Sequence, residues 1–210
     1  MPSVTDTDTL PSVVVFDIGG VLIDWNPRHL YRKLFAGDED AMEHFLATVC
    51  TAEWNLQQDA GRSWADGVAE RIAAFPQYAD LITAFDQRWI ETVRDRIPGT
   101  RALLSGLIER KVPVYSITNF SREKFPLAQA RFPELTQFAG VIVSAHEHLI
   151  KPDPKIYRLL LDRYNLRAEQ CLFIDDIAKN VDGARAVGMH AVQFTSAAAL
   201  DSVLHDFRLL

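Results

Sequence analysis

Five short, almost wholly apolar runs recur along the chain, and helical stretches lie between most of them. The runs occupy residues 13–16, 112–117, 141–143, 171–174 and 191–194. They are rich in Val and Ile and do not alternate with polar residues, which is the pattern of strands covered on both faces. Helical candidates fill 121–131, 154–164, 178–187 and 196–206. Strands alternating with helices predict an α/β fold, a Rossmann-like parallel sheet with helices on both faces. Pro113 falls at the start of the second run, where a missing N–H is tolerated.

One interval breaks this rhythm. Residues 27–97 contain no strand-like run and read as helical, with helices over 42–50, 63–74 and 79–94. Ser63 followed by Asp66 forms a helix-capping pair, and Gly61, Pro76 and Pro98-Gly99 punctuate the segment. The predicted organisation is a Rossmann-like core of residues 1–24 and 98–210 with an inserted α-helical cap of 25–97. Ligands of open parallel sheets bind beyond the carboxyl ends of the strands. An insertion that leaves the first strand at that end is placed to act as a lid.

Composition narrows the function classes. With 48% hydrophobic and 24% charged residues in 210, the chain can build a full core. Its 28 acidic residues outnumber 22 basic ones, and the net charge of −6 argues against a nucleic-acid partner. No apolar run approaches the roughly 18 residues of a membrane span, and the polar, acidic start from Met1 to Leu10 is unlike a signal peptide. Cys50 and Cys171 are isolated, which suits a reducing, cytoplasmic setting. Nothing in the pattern addresses oligomeric state.

The polar residues at the strand ends carry the chemistry. Asp17 follows the first run, with Ile18-Gly19-Gly20 behind it; Thr118-Asn119 follows the second; Lys151-Pro152-Asp153-Pro154 follows the third; Asp175-Asp176 follows the fourth. In a parallel sheet these converge on one edge. Singly each has an ordinary explanation as a turn, a helix cap or a loop. Together they place three carboxylates, a hydroxyl and an ammonium in one spot. Such acids repel one another unless a cation sits among them, and all-oxygen ligation suits Mg²⁺. A metal beside Lys151 forms a site for a phosphate dianion that Asp17 can attack to give an aspartyl-phosphate.

The segments FDIGGVLID (Phe16 to Asp24), ITN (Ile117 to Asn119), KPDPKIY (Lys151 to Tyr157) and FIDD-AKN-GA (Phe173 to Ala184) resemble the four motifs of the haloacid dehalogenase superfamily. The likeness is greatest to phosphatase-like members with a helical cap after the first motif, bacterial sugar-1-phosphate phosphatases among them. The resemblance implies that Asp17 is the nucleophile and a Mg²⁺ ligand, with the Gly19 carbonyl as a second ligand. It implies that Asp176 binds the metal with Asp175 beside it, and that Thr118 and the Asn119 backbone N–H hold phosphoryl oxygens. The resemblance further implies that Lys151 neutralises nucleophile and phosphate, with Asn180 a candidate for the surrounding support. The substrate implied is a small phosphorylated metabolite, a sugar phosphate being one candidate.

Position 19 departs from that pattern. Most phosphatases of the superfamily carry a second Asp there as general acid and base, a role worth about 10²–10⁴-fold. Two explanations are open: a leaving group that needs little protonation, or a proton supplied from elsewhere, with Asp59 and Asp24 as candidates. Dehalogenase relatives also lack the acid, but they replace the acid pair that this chain retains. A 2-haloacid dehalogenase and a weakly catalytic phosphate-binding protein are therefore the alternatives to a phosphatase. In the cap, Asp59 and Arg62 lie in a polar loop of residues 57–62 expected to dip toward the core between two helical stretches, and Trp25 stands at the hinge. Trp54 and Trp64 are offered for stacking or for packing. His146-Glu147-His148 lacks the spacing that puts two histidines on one helix face, and reads as a polar loop.

Overall fold

The computed structural model describes residues 10–210; residues 1–9, most of the polar N-terminal stretch, lie outside it. Strand β1 (Val13–Phe16) leads through the Asp17 loop to β2 (Ile23–Trp25). Five helices follow: α1 (Arg28–Leu34), α2 (Glu39–Thr48), α3 (Ala52–Asp59), α4 (Trp64–Ala74) and α5 (Ala79–Gln87). Strand β3 (Val93–Arg96) brings the chain back to α6 (Thr100–Glu109), β4 (Val114–Thr118), α7 (Phe125–Arg131) and β5 (Gly140–Val143). The remainder is α8 (Ser144–Glu147), α9 (Pro154–Tyr164), β6 (Cys171–Asp175), α10 (Ala178–Arg185), β7 (His190–Gln193) and α11 (Ala197–Asp206).

Five strands form one parallel sheet in the order β5-β4-β1-β6-β7. Alternate residues of β1 serve opposite faces, as the two-residue period of a strand requires. Val14 and Phe16 join Leu104, Leu107 and Ile174 on one side, while Val13 and Val15 join Ile156, Leu160 and Phe173 on the other. Helices thus cover both faces, which explains why the runs are apolar throughout. Helix starts follow the expected chemistry: Ser63 Oγ accepts the Asp66 N–H at 3.0 Å, and Asp153 and Ser196 cap α9 and α11. Among the described residues no helix is long and apolar enough to cross a membrane.

The interval read as strandless is corrected at its end. The helix expected over 79–94 stops at Gln87, and Val93–Arg96 forms a strand antiparallel to β2. Its sequence, Val-Arg-Asp-Arg, is largely exposed and charged, so no apolar run marks it. The chain therefore leaves for the inserted helices and returns from them through a two-stranded ribbon. Those helices dock on the carboxyl edge of the sheet. Trp64 Nε1 donates to Ser121 Oγ at 2.9 Å, its backbone N–H donates to Glu123 at 3.0 Å, and Lys124 pairs with Asp86.

Candidate active site

β4, β1 and β6 are neighbours in the sheet, so Thr118, Asp17 and Asp175 end side by side. Lys151 reaches them from the loop before α9 with no exposure of its side chain. Its Nζ lies 2.8 Å from Asp17 Oδ2 and donates to Asp175 Oδ2 at 2.7 Å. Asp17 Oδ1 accepts the Ile18 N–H at 2.6 Å. Asp175 accepts the Ile177 N–H at 2.8 Å, and Asn180 Nδ2 faces its two oxygens at 3.0 and 3.1 Å. Asn180 is in turn held by its carbonyl, which accepts from Tyr157 Oη at 2.8 Å.

Lys151 owes its position to Asn119. The Asn119 side chain accepts the Lys151 N–H at 2.8 Å and donates to the Lys151 carbonyl at 3.2 Å, a two-bond clamp between the β4 loop and the lysine. Sequence alone points to the backbone N–H of Asn119 and gives no sign of this side-chain clamp, which joins residues 32 positions apart.

Charge at this edge is unbalanced. Asp17, Asp175 and Asp176 each place a carboxylate oxygen within 4.8 Å of the others, against the single ammonium of Lys151. Burial pushes the Asp17 carboxyl up to about 7, with Lys151 opposing and Asp175 adding to the rise. Burial and the Asp175 charge also hold Asp176 above its ordinary value. For Lys151, burial favours the neutral form, but Asp17 and Asp175 prevail and keep it above its usual value. This donor set suits a hard divalent cation, which would relieve the repulsion. Two further observations fit one. Gly20 has φ +75°, and a Cβ there would lie 2.4 Å from Asp176 Oδ2, so the backbone leaves space beside that carboxylate which a side chain would fill. Thr118 Oγ1 is buried with no hydrogen-bond partner among the described residues, an unsatisfied group of the kind that marks a ligand position.

A cavity of about 60 Å³ opens over Gly19, lined by Trp25, Asn55, Asp59, Trp89, Asn119, Phe120 and Ser121. Asp59 comes from the last turn of α3, so residues 57–59, expected as a loop, are helical. The end of that helix is anchored to the sheet: Ser144 Oγ donates to the Asp59 carbonyl at 2.6 Å, and His148 Nδ1 lies 3.1 Å from the Ala60 carbonyl. Asn55 Nδ2 donates to the Asp59 carboxylate at 3.1 Å. Burial, with the Asp17 charge second, pushes the Asp59 carboxyl up to about 7.

The structure brings Asp17, Gly19, Thr118, Asn119, Lys151, Asp175, Asp176, Asp59 and Trp25 to this edge or its cavity. It does not bring Arg62. That guanidinium is spent within the inserted helices, donating to Gln58 at 2.7 Å and Glu70 at 2.7 Å, because α3 and α4 need a cross-brace there. Asp24 faces His29 at 3.1 Å and Arg94 at 3.9 Å and does not line the cavity. Trp54 and Trp64 are buried against each other, ring centroids 5.7 Å apart, and serve packing. Trp89, Phe120, Ser121 and Asn55 line the cavity and were missed; no local motif distinguishes them, since their places follow from the docking of the helices.

A family model for haloacid dehalogenase-like hydrolases matches residues 11–188. The chain belongs to this hydrolase family. Two curated relatives are a sesquiterpene phosphatase of Aspergillus oryzae, 29% identical over 88% of this chain and 90% of that protein, and mouse acyl-CoA dehydrogenase family member 10, 28% identical over 86% of this chain. This chain spans only 17% of the latter. A crystal structure of a haloacid dehalogenase family enzyme from Bacteroides thetaiotaomicron, in complex with magnesium and inorganic phosphate, is similar with a TM-score of 0.67. It is 20% identical, and the match covers 89% of this chain and 95% of that one. A dehalogenase structure matches with a TM-score of 0.61 at 18% identity, covering 89% and 85%. These structures establish the haloacid dehalogenase fold and no more. Since the fold serves chemistry at phosphorus and at carbon alike, the side chains must decide between them.

Proposed function

We propose that this haloacid dehalogenase-like hydrolase is a magnesium-dependent phosphomonoesterase that acts on a small phosphate ester through an aspartyl-phosphate at Asp17. The observation that carries the reading is the convergence of Asp17, Asp175 and Asp176, the first two paired with Lys151, together with a Thr118 hydroxyl that has no partner among the described residues. A carbon-directed dehalogenase has no need of an acid triplet, two members of it buried and the third half-buried. The magnesium and phosphate in the similar Bacteroides enzyme, and the phosphatase name of the Aspergillus relative, support the same choice.

Asp17, Asp175 and Asp176, with the Gly19 carbonyl, would hold the magnesium, which when bound supplies positive charge to the transferring phosphoryl group and keeps Asp17 ionised. Thr118 Oγ1 and the Asn119 backbone N–H donate to phosphoryl oxygens, and Lys151 offsets the charge of both phosphate and nucleophile. One Asp17 oxygen attacks phosphorus as the ester P–O bond breaks, and the alkoxide leaves with the Asp59 proton. Asp59, now ionised, accepts a proton from water as that water attacks the same phosphorus. The P–O bond to Asp17 then breaks, giving inorganic phosphate, the free Asp17 carboxylate and a reprotonated Asp59. The role of cap belongs to the helices between β2 and β3, which carry Asp59 to the sheet edge and close the site to bulk water.

A panel of phosphate esters with Mg²⁺, run beside Asp17→Asn, tests this reading. Turnover by the native chain and none by the variant is the expected result. Chloride release from 2-haloacids that persists in a chelator, with no phosphatase activity, would establish the dehalogenase instead. Magnesium binding with no turnover of any ester would leave the phosphate-binding alternative.

A further inference from the structure

The cavity over Gly19 does not stand alone. A second, of about 250 Å³, shares Trp25 and Asn55 with it and extends among the inserted helices, where Leu46, Ala47, Cys50 and Phe85 line it. Among the described residues its only charged lining residues, Arg28 and Glu43, are bound to each other by two hydrogen bonds of 2.5 and 2.6 Å. Their opposite charges offset each other, so the wall presents no net charge to an anion. No lysine lines either cavity. Where the two meet, Asn55 Oδ1 is buried without a hydrogen-bond partner among the described residues, and beyond it Thr51 is the one uncharged polar side chain on the described wall of the second cavity.

A sugar presents hydroxyls on every side and is held by many polar side chains; an apolar chain needs only walls that exclude water. Resting on the phosphomonoesterase reading, we infer that the alcohol released by this enzyme is an elongated, largely apolar chain. The phosphate sits at Asp17, and the chain passes Trp25 and Asn55 to lie in the second cavity. The substrate class is therefore the phosphate monoester of a hydrophobic alcohol, and the sugar-phosphate expectation is set aside. The second cavity is the specificity pocket for the chain.

The test separates this inference from the reading beneath it. Straight-chain alkylphosphonates, which cannot be hydrolysed at an ester bond, are titrated from methyl to octyl in the presence of Mg²⁺, with tryptophan fluorescence as the readout. Each methylene that enters an apolar cavity should tighten binding roughly fourfold. The alkyl phosphates of the same lengths should show kcat/KM rising in step, and octyl phosphate should exceed glucose 6-phosphate. In Ala47→Trp, which fills the second cavity from an exposed position on α2, the dependence on length should vanish in both series. Affinity and kcat/KM that do not change with chain length, or a preference for the sugar ester, overturn the inference even if phosphatase activity is robust. Length-dependent phosphonate binding without hydrolysis of any ester supports the pocket and overturns the phosphomonoesterase.

Discussion

Replacing Asp59 with Asn asks whether the proton missing at Gly19 comes from the inserted helices. The residue lines the cavity over Gly19, its helix end is pinned by Ser144, and its carboxyl is pushed up to about 7 by burial and by the charge of Asp17. A positioned acid contributes about 10²–10⁴-fold to a step that must protonate its leaving group. Turnover of alkyl phosphates, whose alkoxide is a poor leaving group, should fall by that factor in Asp59→Asn. Turnover of an aryl phosphate, which leaves without help, should fall by less than about tenfold. The acid must be protonated to act, so native activity on alkyl esters declines as pH rises through about 7, and the variant should lose that limb. Stability offers an independent readout. Because the folded-state value lies above the ordinary 3.8, the contribution of Asp59 to stability is complete at low pH and is lost as pH rises through about 7. Asparagine, which never ionises, should be nearly neutral in acid and stabilising by up to about 4 kcal/mol above pH 8. Rate measurements with paired alkyl and aryl esters, and urea unfolding at two pH values, check both. Unchanged alkyl turnover with the alkaline limb intact would refute the assignment.

Other substitutions address the rest of the site. Gly19→Asp places a carboxyl where no atom lies within 4 Å of a Cβ, so it should fold normally and restore at least about tenfold of the alkyl ester turnover lost in Asp59→Asn. No rescue in stopped assays would show that position 19 does not face the leaving group. Lys151→Met leaves two buried carboxylates without their partner; it should abolish turnover and cost about 3–5 kcal/mol by denaturant unfolding, part of it recovered on adding Mg²⁺. Asn119→Ala removes both hydrogen bonds that place Lys151, and should lower stability by about 1–3 kcal/mol and kcat more than KM. Chelation of Mg²⁺ should abolish phosphatase activity and lower Tm, and an unmoved Tm in calorimetry would count against a metal among Asp17, Asp175 and Asp176.

What the sequence reveals here follows burial. Residues 13–16 and 171–174 are legible as strands because the inner strands of a parallel sheet are apolar on both faces. Strand β3 is hidden because a solvent-facing ribbon can be written with two arginines and an aspartate. Motif residues such as Asp17 and Lys151 are legible because reactive side chains at successive strand ends must converge whatever the loops do. The cavity walls are not. Trp25 and Trp89 line the cavity while Trp54 and Trp64 pack together, a division set by how five helices rest on the sheet. Arg62 illustrates the same limit: a cation near the site in sequence was claimed by Gln58 and Glu70, partners brought close by helix packing.

The central claim is that Asp17 takes the phosphoryl group onto its own carboxylate while Asp175 and Asp176 help to hold a metal. The most direct test is a crystal grown with magnesium and beryllium fluoride, which mimics a phosphorylated carboxylate. Beryllium bonded to an Asp17 oxygen, with Thr118 and Lys151 on its fluorines and magnesium against Asp176, is the predicted result. A bare Asp17 carboxylate, with the ions bound elsewhere, would contradict the account.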